Sequence, residues 1–168
     1  HHAFVLNLDG GVAGDPVRFG AQAAAGLNSA STSTGFVLNT WHHVCGVEAS
    51  TTSRAVYIDG GSKGTNATST TPVGLDRTSI GARNDATPGS YFSGIIAEVA
   101  VWDVALSDAE VTALARGISP FCIRSGNLIP LPRANEHLSI PREGLAIERR
   151  AGQADRQPMP ALAVVVRY

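Results

Sequence analysis

Asn39-Thr40-Trp41-His42-His43-Val44 opens the stretch whose reading decides the fold. It continues through Arg54-Ala55-Val56-Tyr57-Ile58-Asp59-Gly60-Gly61 and Ser79-Ile80-Gly81-Ala82-Arg83. It closes with Phe92-Ser93-Gly94-Ile95-Ile96-Ala97-Glu98-Val99-Ala100-Val101-Trp102 and Ala105-Leu106-Ser107-Asp108-Ala109-Glu110-Val111. Apolar and polar residues alternate in short runs, the period of a strand with one face buried. Asp59-Gly60 marks a tight hairpin, because both residue types accept the positive φ such a turn needs. Ser107 and Glu110 have capping-box spacing, and Val111, Leu114 and Ala115 supply the apolar face of the helix they start. Gly117 suits the position just past the helix end, and Pro120 blocks its resumption.

Working outward, strands are expected over residues 3–8, 17–24, 41–49, 54–59, 63–70, 76–82 and 95–103. Short strands punctuated by turns indicate an all-β chain, an antiparallel β-sandwich with one short C-terminal helix. On this reading Trp41, Val99 and Val101 belong to the core. Trp102 points away from Val99 and Val101 and packs against the helix. Composition agrees: in 168 residues, 43% are hydrophobic, only 16% are charged and 18 are Gly, as expected of one turn-rich β domain. No run of 18 apolar residues occurs, so membrane insertion is not expected.

The net charge of −1 hides an asymmetry. Residues 1–123 carry six basic and ten acidic side chains, whereas residues 124–168 carry seven Arg and four acids. The Arg residues of the second part are scattered among Pro and Ala without interleaved aromatics, so nucleic acid is not an expected partner. The boundary also divides the chain structurally. Residues 1–123 read as the sandwich, and 124–168 as a Pro/Arg-rich tail that is mostly irregular. Pro130, Pro132, Pro141, Pro158 and Pro160 interrupt every candidate element there except a strand at 162–166. Deleting residues 130–168 is accordingly expected to lower the melting temperature only slightly. Cys45 and Cys122 permit one disulfide at most, and Cys45 reads as a small buried hydrophobe inside a strand.

The order of these motifs resembles the laminin-G-like branch of the concanavalin A-like lectin/glucanase superfamily. The pieces that carry the resemblance are Trp41-x-His43-Val44, Arg54 followed by Tyr57-Ile58-Asp59-Gly60, the pair Ile80-Gly81, and Phe92-x-Gly94-x-Ile96 followed by Glu98-Val99-x-Val101-Trp102 and Ala105-Leu106-Ser107-x-x-Glu110. The resemblance covers roughly residues 3 to 120. It implies a jelly roll of the concanavalin A-like kind, with about two further strands upstream of Ala3. It implies a non-catalytic recognition or adhesion module within a larger extracellular, cell-surface or virion protein. The partner would be a glycan or surface polymer, or alternatively a protein. Gly126-Asn127-Leu128-Ile129 looks like the start of the family's closing strand, but Pro130 and Pro132 interrupt it.

The chemistry expected of individual residues follows. Glycoside hydrolysis needs two carboxylates facing one bond. The last strand offers only Glu98 and Asp103, five residues apart and so of opposite parity, which opposes a catalytic pair. His42 and His43 are adjacent on a strand and point to opposite faces, so they cannot chelate one metal together. Calcium is the cofactor the resemblance admits, through rim-loop carboxylates; Asp9, Asp15, Asp76 and Asp85 lie in expected loops or at strand ends. Sugar recognition wants an aromatic platform and planar polar side chains. Arg83, Asn84, Asp85 and Tyr91 flank one expected loop and are the candidate ligand-binding residues.

Overall fold

The computed structural model describes residues 2–75, 77–82 and 90–130, and the backbone of two strands beyond them. Ten strands and one α-helix follow in chain order: β1 (Ala3–Leu8), β2 (Pro16–Ala23), β3 (Gly26–Gly35), β4 (Trp41–Ser50), β5 (Ser53–Ile58), β6 (Gly61–Asn66), β7 (Arg77–Ile80), β8 (Ile95–Trp102), α1 (Asp108–Ala115), β9 (Leu145–Glu148) and β10 (Ala161–Arg167). They form a three-stranded sheet β1-β2-β3, a five-stranded sheet β6-β5-β4-β10-β8 and a two-stranded sheet β7-β9, all antiparallel.

Strand alternation builds two apolar layers on the five-stranded sheet. One face of β4 and β5 gives Val44, Val56 and Ile58, which meet Val17, Phe19 and Ala30 of the smaller sheet. Gly46 is required in this layer. A Cβ there would collide with the Phe19 ring, so the two sheets meet where β4 has no side chain. The opposite face gives Cys45, Val47, Tyr57, Ala100 and Trp102, which pack with Leu106, Val111 and Leu114 of the helical segment. Trp102 is fully buried there, as expected, and its indole N–H donates to the Ile123 carbonyl (2.8 Å).

Local signals account for most elements. Asp59 (φ 53°) and Gly60 (φ 74°) form the two-residue hairpin between β5 and β6. Ser107 caps α1, and its reciprocal partner is Glu110. At the other end, Ile118 N–H reaches the Ala113 carbonyl (3.1 Å) and Gly117 N–H the Leu114 carbonyl (2.9 Å), a Schellman closure with Gly117 at φ 88°. Cys45 is buried, and its thiol is pushed up to about 12 by loss of solvent, while Cys122 is exposed.

Four expectations change. β3 was not expected, because Gly26-Leu27-Asn28-Ser29-Ala30-Ser31-Thr32-Ser33-Thr34-Gly35 has little apolar content. Thr32 nevertheless faces inward; its hydroxyl accepts the Val17 N–H (3.0 Å) and donates to the Thr34 carbonyl (2.7 Å), which satisfies it without water. Trp41 is not a core residue but 45% exposed. The expected strand at 162–166 exists as β10, yet it lies inside the five-stranded sheet. It pairs along seven residues with β4 and six with β8. A slight effect of deleting it is therefore no longer expected. Of the two β8 valines expected in the core, Val101 is buried and Val99 is half-buried.

Candidate recognition rim

The first residue of β4 and the first of β8 mark one end of the five-stranded sheet. In the ladder Trp41 stands opposite Arg167 of β10, and Arg167 opposite Ile95 of β8, so three adjacent strands end in one row. Directly opposed residues point to the same face. Trp41 and Ile95 thus share the face that, further along, is covered by α1. The helix has eight residues and is about 12 Å long, enough to cover three or four strand positions. It covers Cys45, Val47, Ala100 and Trp102 and leaves Trp41 and Ile95 exposed. Trp41 is 45% exposed, Ile95 58%, and Tyr91, four residues ahead of Ile95, 50%. Val37 and Leu38, in the segment that leads into Trp41, are also exposed.

A His–Asp arrangement holds this end together. The Asp59 carboxylate takes the His42 ring at Nδ1 (2.7 Å) and the His43 backbone N–H (3.0 Å), while Asp59 N–H donates to the His43 carbonyl (2.7 Å). The left-handed backbone of Asp59 in the hairpin turn is what aims its side chain back at β4. His42 lies on the inter-sheet face, 4.5 Å from the Phe36 ring between centroids. As expected, the two imidazoles do not converge, and His42 is a hydrogen-bonded structural histidine.

His43 is the unusual member. It is buried, and among the described residues neither ring nitrogen has a hydrogen-bond partner. Loss of solvent lowers its pKa to about 4, against the pull of Asp59 in the other direction. The folded value lies below the ordinary 6.5, so the unfolded chain takes up the proton first. The contribution of His43 to stability is full above pH 6.5, falls between 6.5 and 4, and is level below that. The loss is about 3 kcal/mol at 1.36 kcal/mol per unit. Urea unfolding of wild type and His43→Leu at pH 7.5 and pH 4.5 tests this. The variant should lose most of the wild type's acid sensitivity, and an equal slope in both would contradict the assignment.

The other candidates fall as follows. Asp9 and Asp15 come together at the β1–β2 turn, but Asp9 already pairs with the Arg18 guanidinium (3.2 Å). Among the described residues no three potential ligands cluster. Asp76, Arg83, Asn84 and Asp85 lie outside the described residues. Glu98 is exposed and occupies a bulge at φ 52°, where two residues of β8 face one of β10, so strand parity does not apply to it. Asp103 accepts from Asn127 Nδ2 (2.9 Å). Sequence reasoning missed Trp41 as a surface residue. The signal available was its place as first residue of a strand, directly after the Asn39-Thr40 turn.

A family model described as "Concanavalin A-like lectin/glucanases superfamily", of the laminin-G type, matches residues 3–112, more than half of the chain. No curated protein and no solved structure matches the chain.

Proposed function

Because the chain belongs to the concanavalin A-like lectin/glucanases superfamily, we propose that it is a non-catalytic recognition or adhesion module that binds carbohydrate or a surface polymer at the rim around Trp41. The observation that carries this reading is the exposed indole at the end of a sheet face, in the same row as Ile95 and one strand removed from it. A flat indole presents an apolar face to the C–H side of a pyranose ring, and its N–H remains available to a hydroxyl. Arg83, Asn84 and Asp85, which stand between β7 and Tyr91 in sequence, are assigned to the polar contacts of the ligand. The setting proposed is a larger extracellular, cell-surface or virion protein. Among the described residues no helix is long and apolar enough to cross a membrane.

The apolar neighbours Val37, Leu38 and Ile95 favour a second reading, in which the same rim docks a protein partner. A glycan array separates the two. Binding to a defined glycan class, weakened at least tenfold in Trp41→Ala, supports the first. A rim that retains no glycan but captures a protein partner through Trp41 supports the second. Turnover of a β-glucan that disappears in Glu98→Gln would contradict both.

A further inference from the structure

One ring nitrogen at the rim faces two backbone groups that it cannot serve at once. His42 Nε2 is 3.1 Å from the Val37 nitrogen and 3.2 Å from the Val37 carbonyl oxygen. With Nδ1–H donating to Asp59, a neutral ring has a lone pair at Nε2 and accepts the Val37 N–H. A protonated ring has N–H at both positions, so Nε2 must release the Val37 N–H and donate to the Val37 carbonyl instead. The two groups belong to consecutive peptide units and lie within reach of Nε2 in one backbone conformation, so on protonation the Val37 N–H is left facing a ring N–H and has to turn away from it.

We propose that His42 is a protonation latch on residues 36–40, holding the Val37 N–H when neutral and the Val37 carbonyl when charged, and so resetting the segment that leads into Trp41. Among the described residues the charged groups around the ring are few. The β5–β6 turn presents Asp59, whose carboxylate stabilises the charged form. The β1–β2 turn presents Asp15, whose backbone carbonyl takes the Phe36 N–H (3.3 Å). His43, the neighbour on β4, points to the other face, and β10 sets Val166 opposite His42. Phe36 packs on the ring and brings no charge. Its effect on ligand affinity rests on the recognition reading above; the latch itself does not.

Nitrogen-15 NMR of the full chain from pH 8 to pH 5 tests it. The His42 ring nitrogens and the Val37 amide should titrate with one midpoint. Val37 exchange protection, corrected for the intrinsic rate, should fall at least tenfold on the acid side. His43 is an internal reference, since it stays neutral to about 4. A His42 that titrates while Val37 stays unmoved overturns the proposal, and so does a His42 that keeps one charge throughout. His42→Gln should leave the Val37 amide independent of pH, and where that variant does not fold the wild-type titration alone decides. Affinity for an array-selected glycan should differ several-fold between pH 8 and pH 5.5. A working latch without that difference would count against the rim as the binding site, and not against the latch.

Discussion

A chain that stops at residue 160 is expected to lose its cooperative unfolding transition. Without β10 the five-stranded sheet has a gap between β4 and β8. Seven residues of β4 and six of β8 would lose their ladder partners at once. The exposed polar backbone would carry the desolvation cost of any collapsed state, of about 1–3 kcal/mol for each group left unsatisfied. β8 also carries Ala100, Val101 and Trp102, so the layer beneath α1 would come apart with it. Thermal melts by circular dichroism check this. A truncated protein that still melts cooperatively within a few degrees of the full chain would show that β10 is dispensable.

Arg54→Met is expected to cost about 3–5 kcal/mol. The Arg54 side chain is fully buried, and all five of its N–H donors are used. Nε and Nη2 bind the two oxygens of Glu48 (2.8 and 3.0 Å), Nη2 also binds the Thr51 carbonyl (3.0 Å), and Nη1 binds Asn66 Oδ1 (2.9 Å) and the Thr68 carbonyl (2.8 Å). The guanidinium thus ties the β4–β5 turn to the segment that follows β6. Methionine fills similar volume but strands the buried Glu48 carboxylate without a cation. Chemical denaturation of Arg54→Met, Glu48→Gln and the double variant gives the coupling. The double variant should be more stable than the sum of the single losses implies. Strict additivity would mean that the pair contributes no mutual stabilisation.

How much of this was legible follows from what alternation encodes. Period-two patterns, the Asp59-Gly60 turn and the Ser107–Glu110 box lie in contiguous residues, so β1, β2, β4, β5, β8 and α1 stood in the sequence with bounds close to those observed. β3 did not, because its inward residues are Ala and Thr, and Thr32 is made tolerable by bonds that only the folded sheet supplies. The Pro-rich context of residues 130–160 argued against a central role for the strand after it, yet proline restricts only the strand it occupies. Ala161–Arg167 contains none. For Trp41 the alternation gave the face correctly. It could not give how far along that face the helix reaches, which depends on the length of α1 and its docking over Cys45 and Val47. That is also why Trp41 was not among the expected site residues: Tyr91 was legible as a loop aromatic, whereas Trp41 was read as core.

The two tryptophans, alike in size and hydrophobicity, therefore take different roles, and comparing their alanine variants tests the account most directly. Trp102→Ala should lose about 3–5 kcal/mol of stability, the cost of emptying a fully buried site. Trp41→Ala should stay within about 1 kcal/mol of wild type, because nearly half of its surface is already in water. Its affinity for the array-selected glycan should nevertheless fall at least tenfold. A Trp41→Ala protein that unfolds as readily as Trp102→Ala, or one that binds the glycan as wild type does, would contradict the placement of the recognition site at this rim.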